Sequence, residues 1–466
     1  MTIEGELARL SRGWRGPALA AFIAFVAGLP GLLAVPPLDR DESRFAQATA
    51  QMLETRDFVV IRFQDQPRFK KPVGIHWLQA ASVTLVSNPE DRQIWAYRIP
   101  SLLGAMLAAA ACAWGAAAFF GSRAGLLAGA MLGTTFLLST EALIAKTDAV
   151  LCGTTMLALA ALARIYAEAR DGPPAGNRAW LLFWIGLALA VLVKGPVGPL
   201  IVALTIAGVT LSERRAAWLG RLNGAWGLIL LVAIVGPWAG AVTVATDGDF
   251  WTAAFTGDLA PKLAGGQETH GAPPGYHTLL APLLVFPMTL MLPAAAAAAF
   301  RRRREPGIRF ALAWLIPAWI MFEAMPTKLV HYPLPLYGAI AWLAAAALAE
   351  PLGAAVRWVG AALSALFGVL LAVACFILAR LYGDLTDLPQ AVLAAGLLAA
   401  AGLAGGIMLL RGTPAAVVGA LGLGLVGHAA LTAGLVPRLS PLWLSARTQA
   451  ALERARLLPA QGIADA

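Results

Sequence analysis

The chain has 466 residues, 59% hydrophobic and 13% charged, with a formal net charge of +9. Soluble domains carry about 25% charged residues, so a water-facing globule is excluded and lipid is the expected solvent. Cys112, Cys152 and Cys375 each sit inside an apolar run with no CxxC spacing, and read as buried thiols rather than a disulfide framework or a zinc site.

A bilayer crossing takes about 20 apolar residues. About thirteen such runs are expected, centred near residues 25, 109, 131, 157, 186, 203, 234, 289, 315, 341, 367, 400 and 425. The first, Gly16 to Pro37, is uncharged and lacks a small-residue cleavage site, so it reads as a retained span. Two connections are long, from about Pro36 to Pro100 and from about Asp247 to Tyr276. The membrane domain is expected over residues 1–436 and a short tail over 437–466. No repeat of fixed period is visible, which weighs against transporters built from repeated halves.

With the amino terminus inside, the inner segments hold Arg9, Arg12, Arg15, Arg123, Arg164, Arg170, Arg178, Arg214, Arg215, Arg221, Arg301 to Arg304, Arg309, Arg357 and Arg411. This is the positive-inside pattern. Arginines scattered over short loops make no nucleic-acid footprint, so no nucleic-acid partner is expected. The lysines Lys70, Lys71, Lys146, Lys194, Lys262 and Lys328 all fall in or beside outer segments, against that bias. Asp39, Asp41, Glu42, Glu141, Asp148, Glu268, His76, His270, His277 and His331 join them. Chemistry is therefore expected on the outer face.

Within the first long connection, "LDRDESRFAQATAQML" (Leu38 to Leu53) places Phe45, Ala48, Met52 and Leu53 at helical spacing. The spacing predicts an amphipathic helix along the outer surface, opening at Asp41. Asp41 reads as an N-cap or as a chemical group, and Glu42 complements the helix dipole. "RFKKPVGIHWLQAASV" (Arg68 to Val83) predicts a second interfacial helix opened by Lys70, Lys71 and Pro72. Its plain alternative is a basic anchor on lipid headgroups. Further on, Lys146 and Asp148 are two apart and do not face each other if that turn is helical. Lys194 is followed by Gly195 and Pro196, which break a span at the interface, where a lysine also snorkels. "ETHGAPPGYH" (Glu268 to His277) predicts an ordered turn. Its residue types could bind a metal, but the spacing is not diagnostic, so a divalent metal stays open. His428, inside the last span, is read as structural.

The combination of an apolar span, Asp41–Glu42–x–Arg44–Phe45–Ala46 and then Phe69, Lys71, Pro72, Trp77 and Leu78 resembles the first periplasmic loop of the lipid A aminoarabinose transferases. These are polyprenyl-phosphate-sugar-dependent enzymes of the GT-C fold, related to protein O-mannosyltransferases. "AKTDAVL" (Ala145 to Leu151), "LVKGPVGPL" (Leu192 to Leu200), "GQETHGAPPGYH" (Gly266 to His277) and "PTKLVHYPLPLY" (Pro326 to Tyr337) follow in matching order. The resemblance implies an all-α polytopic membrane protein of the bacterial inner membrane, its active face periplasmic. It implies transfer of one sugar from a polyprenyl monophosphate donor to a lipid or glycan acceptor, with inversion. Asp41 would be the base or orienting carboxylate, with Asp148 as a second catalytic carboxylate. Arg44, Lys71, Lys194 and Lys328 would hold the departing phosphate. Glu42, Phe69, His331 and Tyr332 would contact substrate. Relatives often carry a glutamate where this chain has Lys70, and many have a periplasmic domain after the last span that is not expected here. A transporter or flippase of lipid-linked saccharides is the alternative, disfavoured because the charges collect at one face rather than along a path.

Overall fold

In the computed structural model, the first apolar run forms helix α1, Arg15–Ala34, packed along the central α4, Ile94–Gly133. The structure describes residues 9–38, 41–260, 271–413 and 415–444, with residues 5, 447, 448, 451 and 454. Asp39, Lys262, Glu268 and His270 therefore lie outside the described residues. Between α1 and α4 come two further helices, α2 (Asp41–Thr55) and α3 (Gly74–Val86), separated by a small hairpin of β1 (Arg62–Phe63) and β2 (Gln66–Pro67). Helix α2 starts at the expected residue. It buries Phe45, Ala48 and Met52 while Asp41 faces solvent. The second helix begins two residues beyond Pro72 and leaves Lys70 and Lys71 in the preceding turn.

Helix α4 spans 40 residues but breaks at Gly121, whose φ of 81° and ψ of 164° are not helical. A positive φ at that point suits glycine, which has no Cβ to clash. After a short α5 (Phe136–Glu141), α6 (Asp148–Glu168) packs on α4 through Gly104 and Gly153. A Cβ on Gly104 would meet the Val150 Cα at 2.6 Å, so the backbones touch directly. Close approach through small residues is the usual way membrane helices gain dispersion energy, since lipid supplies no hydrophobic drive between them.

The remainder is α7 (Ala179–Lys194), α8 (Val197–Glu213), α9 (Gly224–Ala245), α10 (Asp249–Ala253), α11 (Tyr276–Leu284), α12 (Leu292–Arg301), α13 (Pro306–Ala324) and α14 (Tyr337–Ala347). Then follow α15 (Ala354–Tyr382), α16 (Leu388–Leu410) and α17 (Ala416–Ala429). Leu371, Ala394, Leu398 and Ala401 form a second core between α15 and α16, whereas Leu409 of α16 and Ala416, Val417, Ala420 and Leu421 of α17 join the main one around α4, α6 and α14. At the end of α6 remote from Asp148, Glu213 accepts hydrogen bonds from Tyr166, Arg170 and Arg309, tying α6, α8 and α13 together.

Among the described residues, eight helices are long and apolar enough to cross a membrane. The count is nine if Tyr276–Leu284 and Met288–Arg301, bent by 112°, form one broken span. The chain is an all-α polytopic membrane protein. Each centre expected from the sequence falls within a helix or that bent segment, but several helices are shorter than a full crossing. Cys112, Cys152 and Cys375 are buried and unpaired.

Candidate active site

Arg98 anchors the first connection. Its Nε and one terminal nitrogen donate to the two Glu42 oxygens at 2.8 and 2.7 Å. Its remaining donors reach the carbonyls of Leu32, Val35 and Pro36, so all five guanidinium N–H groups are used. Glu42 also accepts the backbone N–H of Leu38 and of Ala145, each at 2.7 Å. Neither side chain of the pair is exposed. This corrects the expectation for Glu42: its carboxylate is spent joining the end of α1, the start of α2, α4 and the turn at residue 145, and it is not a sugar contact. Sequence reasoning missed Arg98 because 56 residues separate the partners.

That turn carries the next charge. Residues 142–147 are not helical, so the spacing argument against a Lys146–Asp148 contact does not apply. Lys146 Nζ lies 2.9 Å from Glu141 Oε1, 3.8 Å from Asp148 Oδ2 and 3.4 Å from His331 Nδ1. Asp148 opens α6 and Lys194 closes α7, positions where each charge complements its helix dipole. Lys194 donates to Asp148 Oδ1, and His331 Nε2 stands 3.6 Å from the same oxygen. Lys194 also sits 5.6 Å from the centre of the Tyr332 ring, in cation–π range. Gly195, with φ of 63°, turns the chain sharply after Lys194, as the Gly–Pro pair predicts.

Burial lowers His331 to about 3, aided by Lys146, Lys194 and Lys71 and opposed by Asp148, so the ring is neutral at ordinary pH. Burial also works against the Lys146 charge, but Glu141 and Asp148 outweigh it and Asp41 adds to them, so its pKa is raised. Glu141 is pushed up by burial, against the pull of Lys146. Asp41 thus lies within electrostatic reach of the cluster, and Lys71 within reach of His331. Glu141 belongs to the cluster although no motif named it.

A cavity of about 420 Å³ opens beside these groups. Its wall is basic at Lys70, Lys71 and Lys194, acidic at Asp148, and elsewhere apolar through Leu200, Phe250, Trp251, Phe255 and Met321. His331 and Tyr332 complete the polar end. Lys71 is set there by α3, which Gly74 allows to approach α7: a Cβ would meet the Leu192 carbonyl oxygen at 2.6 Å. Four expected residues are placed differently. Lys328 is buried, donates to the Met325 carbonyl at 2.6 Å and is not among the cavity-lining residues. Phe69 stands one ring behind the wall, edge-on to Phe250 at 5.7 Å. Arg44 lines a separate shallow hollow with Gln47, Phe63 and Gln64. Asp41 is near the cluster but not on the cavity wall. His76, on α3, is held by Thr49 at 2.8 Å and stacked on Phe45. Among the described residues, no group of three or more His, Cys, Asp or Glu is arranged to hold a metal ion.

Residues 70–239 match the family described as dolichyl-phosphate-mannose-protein mannosyltransferase. The undecaprenyl phosphate-alpha-4-amino-4-deoxy-L-arabinose arabinosyl transferase of Aeromonas salmonicida is 27% identical over 323 residues, covering 67% of this chain and 57% of that protein. Its counterpart in Aeromonas hydrophila is 28% identical over 336 residues, covering 71% and 59%. ArnT from Cupriavidus metallidurans in the apo state superposes with a TM-score of 0.78 at 23% identity, covering 95% of this chain and 80% of that one. The chain is related to the ArnT and protein mannosyltransferase superfamily and has its GT-C fold. The same Cupriavidus protein bound to undecaprenyl phosphate superposes with a TM-score of 0.77 at 22% identity, with the same coverage. The chain spans a little over half the length of its Aeromonas relatives, 57% and 59%.

Proposed function

We propose that this protein is a glycosyltransferase of the bacterial inner membrane, moving one sugar from a polyprenyl-phosphate donor to an acceptor lipid or envelope glycan on the periplasmic side. The observation that carries the reading is the two-natured cavity. Its lysines suit a phosphate, its aromatic and aliphatic wall suits a prenyl chain, and Asp148, His331 and Tyr332 lie where the two meet. The undecaprenyl phosphate bound by the Cupriavidus ArnT is a ligand of this chemistry.

In the proposed reaction the acceptor hydroxyl oxygen attacks the anomeric carbon, and the bond from that carbon to the phosphate oxygen breaks. The electron pair leaves with the polyprenyl phosphate, and Lys71 and Lys194 stabilise the charge that develops there. Asp41 takes the hydroxyl proton, and direct displacement inverts the anomeric carbon. Asp148 orients Lys194 and the sugar, while neutral His331 and Tyr332 offer hydrogen bonds. Helices α2 and α3 lie along the membrane surface in this reading. About thirteen crossings are proposed: α4 counts twice across its break at Gly121, and Ala179–Lys194, Val197–Glu213 and Leu334–Ala347 join the longer spans.

Mass spectrometry of envelope lipids and glycans from wild type, deletion and Asp41→Asn strains tests this, with membrane levels of the variant checked. The deletion and Asp41→Asn should lose the same sugar-sized mass from one acceptor while the carrier-linked sugar accumulates. A variant that retains the modification lost in the deletion removes Asp41 from the mechanism. A deletion that changes no acceptor overturns the function.

A further inference from the structure

A second cavity, of about 960 Å³, lies at the opposite end of the bundle. Helix α6 separates the two ends by 21 residues, about 30 Å at the usual helical rise. This cavity is a wedge bounded by the break in α4, the turn after α14, the start of α15 and the turn between α16 and α17. Arg123, Arg302 and Arg357 converge on it from three separate elements, while Phe120, Leu127 and Leu409 form apolar wall. Arg302 is braced by the Ala346 carbonyl and by both oxygens of the Glu305 carboxylate, each at 2.8 Å, and Arg357 by the Leu410 carbonyl at 3.1 Å. Arg357 Nε is buried with no hydrogen-bond partner among the described residues. Trp358, beside it, is 66% exposed, as an aromatic at a membrane interface would be. The carboxylate on the wall is Glu350, which is exposed.

We infer that this wedge binds the phosphodiester headgroup of an anionic phospholipid, with the first part of its acyl chains against the apolar wall. Arg123 and Arg357 provide the charge, with Arg302 already paired to Glu305, and basic pockets between membrane helices recognise such headgroups. The volume corresponds to roughly thirty waters, far more than an inorganic phosphate fills, and the apolar wall gives a free ion nothing to bind. The lipid would lie across α4, α15 and α17, which meet at the wedge.

Native mass spectrometry of the purified full chain, titrated with phosphatidylglycerol, phosphatidylcholine or inorganic phosphate, tests the site. Wild type should retain phosphatidylglycerol over phosphatidylcholine. Arg123→Gln and Arg357→Gln should each weaken it about fivefold, and Glu350→Gln should tighten it. Melting temperatures identify any variant that has failed to fold, and Glu350→Gln then decides alone. Equal retention by the folded arginine variants, no tightening in Glu350→Gln, or phosphate bound as well as phosphatidylglycerol would each overturn the site.

Discussion

Asp41 faces solvent at the start of α2, whereas Glu42 is closed off from it by Arg98 and two backbone N–H groups. Substituting each tests different things. Glu42→Gln leaves a buried guanidinium without its counter-charge, a change that costs about 3–5 kcal/mol, and should lower both the melting temperature in detergent and the amount of protein in the membrane. Asp41→Asn should stay within about 0.5 kcal/mol of wild type, as exposed substitutions do, so its loss of transfer would be chemical. His331 gives a pH signature. Its pKa is about 3 in the fold against an ordinary 6.5, so between those values the unfolded chain binds a proton that the fold refuses. Stability therefore rises with pH across that window and is lost as pH falls through it. Glu141, raised above its ordinary 4.5, acts in the opposite sense from about pH 4.5 upward. His331→Asn should flatten the rising limb of a melting-temperature profile, and Glu141→Gln should steepen it. The residue types at the site were legible because lysines and carboxylates are rare in such a chain. Their partners were not, since Glu42 with Arg98 and Asp148 with Lys194 meet only after folding.

Helices were legible where one face differs from the other. The spacing of Phe45, Ala48 and Met52 predicted the helix that α2 forms over Asp41–Thr55. In an apolar chain, however, the same oily composition continues through breaks and short segments. The apolar centres near 109 and 131 did separate the two halves of α4, but hydropathy alone does not tell a full crossing from the 16-residue α7. Glycine contacts were invisible in the same way, because the close approach of α4 and α6 depends on which residue faces which. Gly153→Val should force those backbones apart, since a Cβ at 153 would collide with the Gly104 carbonyl. Overpacking of this kind costs about 1–3 kcal/mol. Because α6 also carries Asp148, the expected result is a lower melting temperature together with lost transfer, measured on purified protein; unchanged values for both would mean that the helix pair can slide.

Among the described residues the lysines gather at one end of the molecule, whereas arginines stand at both, Arg98 with Glu42 at the lysine end and Arg170, Arg302, Arg309 and Arg357 on carbonyls and carboxylates at the other. That division was readable from the sequence as topology. The second core between α15 and α16 was not, since nothing in its composition distinguishes it from the other spans. The apolar side of the first cavity runs past Leu200, Trp251 and Phe255, each of them exposed at the molecule's flank. For a donor already dissolved in the bilayer, that flank is a sideways doorway, and the concentration that matters is a mole fraction in two dimensions. Diluting a fixed amount of donor with inert lipid should slow the proposed transfer in proportion, while diluting the same vesicles with buffer should leave the rate per enzyme unchanged.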